Sequence, residues 1–373
     1  FYSEEAWPLL KATLTLGVVN LSTSYLTDEI RVLSGAYGRA LSGVPEAQDK
    51  VKAAYHLAQG PFKQALGLWY AHEKFSPEAK ADVEKKVATM IDVYKERLAK
   101  NDWLTPETRD KAIVKLNVIK PYIGYPEELP ERYKDKVVDE TASLFENALA
   151  FARVEIKHSW SKWNQPVDYK EWGMPAHMVN AYYNPQKNLI VFPAAILQAP
   201  FYDLHQSSSA NYGGIGAVIA HEISHAFDTN GASFDENGSL KDWWTESDYA
   251  AFKEKTQKVI DQFDGQESYG ARINGKLTVS ENVADLGGIA AGLEAAKREP
   301  DFSAEEFFHN FARIWRMKGR PELMKLMTSV DVHAPAKLRV NVQVPNFDDF
   351  FITYDVKEGD GMWRSPEDRV IIW

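Results

Sequence analysis

Apolar and polar positions alternate along the chain so as to predict a helical opening, a short strand-like stretch and a second run of helices. Ser76-Pro77 marks a helix start, with Ser at the cap and Pro at the first helical position. Val83, Val87, Met90 and Tyr94 follow at helical spacing, with charges on the other face. Thr105-Pro106 repeats the start for a helix through Ile113 and Leu116, and Pro121 and Pro126 break the pattern. Asp168–Pro175 is polar and turn-rich. Between Val179 and Phe192 the chain reads as strand, with a turn at Asn184-Pro185 and a β-rich run Leu189-Ile190-Val191-Phe192. After Gly213-Gly214 an apolar helix carries Ile215, Val218, Ile219 and Ile223. Thr245-x-x-Asp248 and Ser303-x-x-Glu306 predict capping boxes for two more helices, the second with Phe307, Phe308, Phe311 and Trp315 on one face. There is no internal repeat. The expected fold is mainly α with a small β element.

Composition narrows the function classes. With 373 residues, 45% of them hydrophobic, the chain can bury a large core. No apolar run reaches the 18 or so residues of a membrane span. A net charge of −10 disfavours a nucleic-acid partner. The absence of cysteine excludes disulfides, thiolate metal sites and cysteine nucleophiles, so any metal must be held by His, Asp or Glu. In such a chain the sequons at Asn20 and Asn237 read as chance. Phe1–Leu10 lacks the pattern of a signal peptide, and the chain is expected to begin in mid-protein. Compartment is not legible.

The chemistry concentrates in His221-Glu222-Ile223-Ser224-His225. Residues four apart on a helix share a face, so two imidazoles there can share a metal. Glu222 sits about 100° around the helix, within reach of a metal-activated water. With nine histidines, a chance match has a probability of about one or two per cent. Two histidines on a satisfied polar face are the plainer alternative. An otherwise apolar helix that buries His, Glu and His asks for a compensating cation. The extended metzincin pattern fails, because its Gly and His positions hold Asp228 and Gly231. Glu281, sharing a helical face with Asp285, is a candidate third ligand. Spacing alone leaves open that the pair is a solvated face.

Four ordered motifs extend the picture: Asn180-Ala181-Tyr182-Tyr183, His221–His225 with Ala226-Phe227-Asp228, Glu281-Asn282-Val283-Ala284-Asp285, and His333-Ala334-Pro335 with Arg339. With the linking text around Ile190–Gln198, Asn211–Gly216 and Asp242-Trp243-Trp244, they resemble the neprilysin family of zinc endopeptidases and its bacterial oligopeptidases. The resemblance is dense from about Pro121 onward. It implies a two-lobe gluzincin metallopeptidase fold, with residues 121–373 as the catalytic domain and residues 1–120 as a helical segment contributing to a cap lobe and linkers. It implies one Zn2+ per chain on His221, His225 and Glu281, with Asp228 and Asp285 orienting the imidazoles. Glu222 would be the general base and His333 the donor to the oxyanion. Asn180 and the Ala181 backbone would hold substrate in extended form, and Arg339 would grip a substrate carbonyl. Phe201 and Trp315, with Ile196 and Val218, would line a pocket for a bulky apolar side chain, or simply pack as core. Substrates would be oligopeptides cut on the amino side of hydrophobic residues. The family's cysteine three residues before a terminal Trp is Val370 here, which points to a cysteine-free bacterial branch. A long N-terminal portion of the family is missing from this chain and is the expected partner. A thermolysin-like peptidase and a binding protein with a vestigial zinc site are the competing readings.

Overall fold

The computed structural model describes residues 3–373; Phe1 and Tyr2, where the sequence reading begins, lie outside them. In chain order the helices are α1 (Trp7–Ser22), α2 (Asp28–Ser34), α3 (Ala36–Ser42), α4 (Lys50–Lys74), α5 (Pro77–Lys100), α6 (Pro106–Val118) and α7 (Leu144–Ser161). They are followed by α8 (Ser208–Asn211), α9 (Ala217–Ser224), α10 (Glu246–Phe263), α11 (Gly275–Ala296), α12 (Ala304–Ile314), α13 (Pro321–Val330), α14 (Ala336–Asn341) and α15 (Asp348–Tyr354). Strands β1 (Lys120–Gly124), β2 (Tyr182–Asn184) and β3 (Leu189–Pro193) form one small sheet, and β4 (Glu267–Ser268) and β5 (Ala271–Arg272) a two-stranded turn. The fold is mainly helical. Among the described residues no helix is long and apolar enough to cross a membrane.

Two compact units divide the chain. One comprises residues 3–66, Glu127–Glu171 and Arg320–Leu323; the other Gly67–Pro126, Trp172–Gly319 and Met324–Trp373. This differs from the expected cut at residue 120. The reason is packing: α5 buries Val83, Val87, Met90, Val93, Tyr94 and Leu98 in the core of the larger unit. Residues 127–171 instead return to the smaller unit, where Lys136 Nζ donates to Pro61 O (2.6 Å) and the Tyr133 hydroxyl accepts from Gln64 N (3.1 Å). Helix α1, in the smaller unit, buries no residue.

The predicted starts hold in detail. Ser76 caps α5 and Thr105 caps α6, each accepting from the backbone N–H three residues on. The two expected capping boxes are half right. Thr245 and Ser303 cap α10 and α12. The Asp248 carboxylate, however, accepts from Thr105 N (2.9 Å) and Thr105 Oγ1 (2.6 Å), tying the start of α10 to that of α6. Glu306 likewise turns its carboxylate to Ser207. The helical pattern stops before Pro121 as expected, α6 ending at Val118; Pro121 itself lies in β1, which pairs in parallel with β3 at the sheet edge, where a missing N–H is tolerated.

Helices α9 and α11 build the site. Their contact depends on Gly287 and Gly288, where a Cβ would lie 2.1 Å from Ser224 Oγ and 2.6 Å from Ala217 O. Glycine alone allows so close an approach. At the same contact, the Tyr94 hydroxyl of α5 donates to Ala220 O (3.0 Å) and bonds Ser224 Oγ, tying α9 to a third helix beside Gly287.

Candidate metal centre

A wider π-type turn, Tyr212–Gly216, leads into α9, every residue of which is buried. His221 and Glu222 lie on α9 and His225 at its C-cap. Glu281 and Asp285, one turn apart on α11, face them. His221 Nε2 lies 3.0 Å from His225 Nε2, and Glu281 Oε2 lies 3.2 Å from the first and 3.5 Å from the second. The sequence reading of these three as a group is therefore matched by the geometry.

Each imidazole is oriented from behind. His221 Nδ1–H donates to Asp285 Oδ1 (2.8 Å) and His225 Nδ1–H to Asp228 Oδ2 (2.6 Å). Both Nε2 lone pairs are thereby turned to the same point. Asp285 is clamped in turn by Arg339, whose Nε and Nη2 donate at 2.8 and 2.6 Å. Burial raises the affinity of Asp285 for a proton, but Arg339 and His221 outweigh it and hold its carboxyl at about 2. Removing one partner from so buried a pair costs about 3–5 kcal/mol.

The fit of a metal follows from the donor set. Tetrahedral coordination with bonds of about 2.0–2.2 Å separates ligand atoms by about 3.3–3.6 Å. The observed triangle of 3.0, 3.2 and 3.5 Å is close to that. Glu281 Oε2 is buried and accepts no well-formed hydrogen bond, as a group awaiting a cation would be. Burial opposes its ionisation, yet the three surrounding histidines hold its carboxyl far below the usual range. A divalent cation with one coordination position left open fits these residues.

Glu222 is buried and lines the same cleft; burial pushes its carboxyl above the usual range. His333, partly exposed, places Nε2 3.2 Å from Glu281 Oε2. Its Nδ1 and backbone N–H both meet Asp331 Oδ1 at 3.0 Å. Burial lowers its imidazole, and Glu281 and Asp331 more than restore it. The cleft, of about 470 Å³, is further lined by Asn180, Ala181, Ile196, Phe201, Val218, Phe311, Ile314, Trp315 and Arg339. Every site residue expected from the sequence thus meets in one place. Two details differ from the expected roles. Arg339 is buried, spends two donor groups on Asp285 and lies 3.7 Å over the Trp315 ring. The Ala181 N–H is taken by Asn180 Oδ1 at 2.9 Å. Sequence reasoning missed Asp331, which a two-residue offset from His333 could have suggested. It also missed Ser280, whose hydroxyl donates to Asp228 Oδ2 at 2.5 Å and which carried no local signal.

Two separate segments of the chain, residues 180–370 and residues 1–126, match peptidase family M13. The chain belongs to peptidase family M13. A neutral endopeptidase of Lactococcus lactis is 52% identical over 371 residues, all of this chain and 59% of that one. Among solved M13-like structures, PepO of Lactobacillus rhamnosis HN001 superposes with a TM-score of 0.92 at 42% identity, covering 95% of this chain and 56% of that one. The Mycobacterium tuberculosis zinc metalloprotease Zmp1, solved with an inhibitor, gives a TM-score of 0.90 at 34% identity over 95% and 56%. Membership in M13 removes the thermolysin-like alternative. This chain spans between about half and three-fifths of the length of the curated M13 relatives it matches.

Proposed function

We propose that this chain carries the catalytic centre of a zinc endopeptidase that hydrolyses oligopeptides on the amino side of hydrophobic residues. The observation that carries the reading is the convergence of His221, His225 and Glu281 beside an uncommitted, buried Glu222 in one cleft. Zinc bound there would polarise a peptide carbonyl and acidify a water. Glu222, its proton affinity raised by burial, takes the proton from the attacking water and returns it to the leaving amine. His333 Nε2, held toward the cleft by Asp331, donates to the oxygen on which charge develops.

Strand β2 is the edge of its sheet, order β1-β3-β2, and borders the cleft through Tyr182 and Tyr183. Substrate main chain would add beside it and Asn180, in extended form. Ile196, Phe201, Val218, Phe311, Ile314 and Trp315 offer an apolar wall to the side chain following the cut. Burying a Leu or Phe there is worth about 1.5–3 kcal/mol, which supports the hydrophobic preference. Helix α1 supports the proposed partner, the portion of M13 relatives that this chain does not span. Its Trp7, Leu9, Leu14, Leu16, Val18, Val19 and Leu21 are each more than half exposed.

The test pairs metal content with turnover. One zinc per chain should be found, chelation should abolish cleavage of an internally quenched peptide, and added zinc should restore it. Cleavage should fall before Leu or Phe. A full-length protein that binds zinc and leaves every peptide intact would instead be the binding protein with a vestigial site.

A further inference from the structure

Lys115, on α6, is 1% exposed, and among the described residues no carboxylate pairs with it; its hydrogen bonds go to carbonyls. Its Nζ donates to three backbone carbonyls, those of Ala226 (2.8 Å), Gly231 (2.9 Å) and Phe234 (2.6 Å). All three belong to the segment that follows the metal helix. The rings of Tyr183, Phe227 and Trp243 surround the same nitrogen at 5.9, 5.8 and 5.5 Å. Burial pulls the amine down to about 7, against the pull of Asp228, Asp235 and Glu236. Three carbonyl acceptors, however, need three N–H donors, and only the ammonium has them.

Asp228 sits inside that segment. Its Oδ1 accepts from Asn230 N (2.8 Å) and Gly231 N (2.6 Å), its Oδ2 from His225 and Ser280. Gly231 therefore gives its N–H to Asp228 and its C=O to Lys115. No other residue fits there, since a Cβ would lie 1.7 Å from His225 O. The two imidazoles are thus backed alike. Behind His221 stand Asp285 and the cation Arg339; behind His225 stand Asp228 and, through the single residue Gly231, the cation Lys115.

We propose that Lys115 is a positioning residue of the metal centre: its ammonium folds the 226–234 turn so that Asp228 holds the His225 imidazole in place before the cation arrives. The inference rests on the metal-centre reading above. Losing an outer partner of a metal ligand commonly costs 10–100-fold in affinity. Lys115→Met, close in length and without charge, should therefore weaken zinc binding by about 10–100-fold in competition with a chromophoric chelator. Asp228→Asn should do the same, and the double variant should be little worse than the poorer single. Unchanged zinc affinity in Lys115→Met, or effects that simply add, would overturn the proposal. Should Lys115→Met not fold, hydrogen exchange in the metal-free wild-type chain decides. The amides of Asn230, Gly231 and Ala232 should be protected without zinc; exchange at open-loop rates would overturn the proposal. A wild-type chain that binds no zinc would sink the metal-centre reading instead, a different failure.

Discussion

Helices α1 and α9 are both rich in apolar residues and meet opposite ends. In α9 every residue is buried, with α11 and α5 packed against it. In α1 none is, and its apolar residues run around the helix rather than along one face. The odd residues also differ. On α9 they are polar, His221 and Glu222, in a place built for apolar ones. On α1 they are apolar, in a place built for polar ones. Both are energetic anomalies, and each points to something that the described residues do not supply: a cation for the first, an apolar partner for the second.

The sharpest way to break the first half of that comparison is Glu222→Gln. Turnover should fall by about 10²–10⁴-fold or more while zinc stays bound, because Glu222 handles protons and is not a ligand. A variant that lost zinc would mean that the ligand set was wrong. His333→Ala should come next, lowering kcat by about 10²–10³-fold with KM nearly unchanged, the scale of one oxyanion donor. A rise in KM alone would make His333 a substrate-binding residue. The second half is tested most gently on α1. Leu14→Glu with Leu21→Glu should change the stability of this chain by no more than about 0.5 kcal/mol each, as exposed positions do. The wild-type chain alone should bind zinc yet cleave peptides poorly, and the remaining M13 portion, supplied in trans, should restore turnover. The α1 double variant should resist that rescue; rescue as complete as in wild type would place the partner elsewhere.

Much of this was legible because it is local. His221 and His225 are four residues apart, and Ser76 and Thr105 cap helices by contacts three residues on, whereas Glu281, His333 and Asn180 are read through the family resemblance and not from spacing. What escaped depends on pairs distant in sequence. Lys115 meets its carbonyls more than a hundred residues away, and Ser280 reaches Asp228 across 52. Nothing in the neighbouring residues of either marks the encounter. Asp248 shows the same limit from another side. Its spacing from Thr245 suited a capping box, but its carboxylate meets the Thr245 hydroxyl rather than the backbone N–H and takes two further donors from Thr105 of another helix start. The compact units depart from a cut at residue 120 for a topological reason: residues 127–171 belong with the first unit, and no composition change announces that return.

The glycine pair on α11 bears on which cation the site accepts. Ligand atoms about 3.0–3.5 Å apart suit an ion with bonds near 2 Å. Calcium, with bonds of about 2.3–2.6 Å and six to eight oxygens, needs a wider and more yielding cage. The width here is set where α11 crosses α9, at Gly287 and Gly288, not at the ligands themselves. A methyl group at Gly288 would meet the Ala217 carbonyl of α9 and would have to push the two helices apart and the triangle with them; at Gly287 it would meet the Ser224 and Tyr94 hydroxyls packed between them. Helix spacing, kept close by two missing side chains, would thus set the size of ion that this triangle holds.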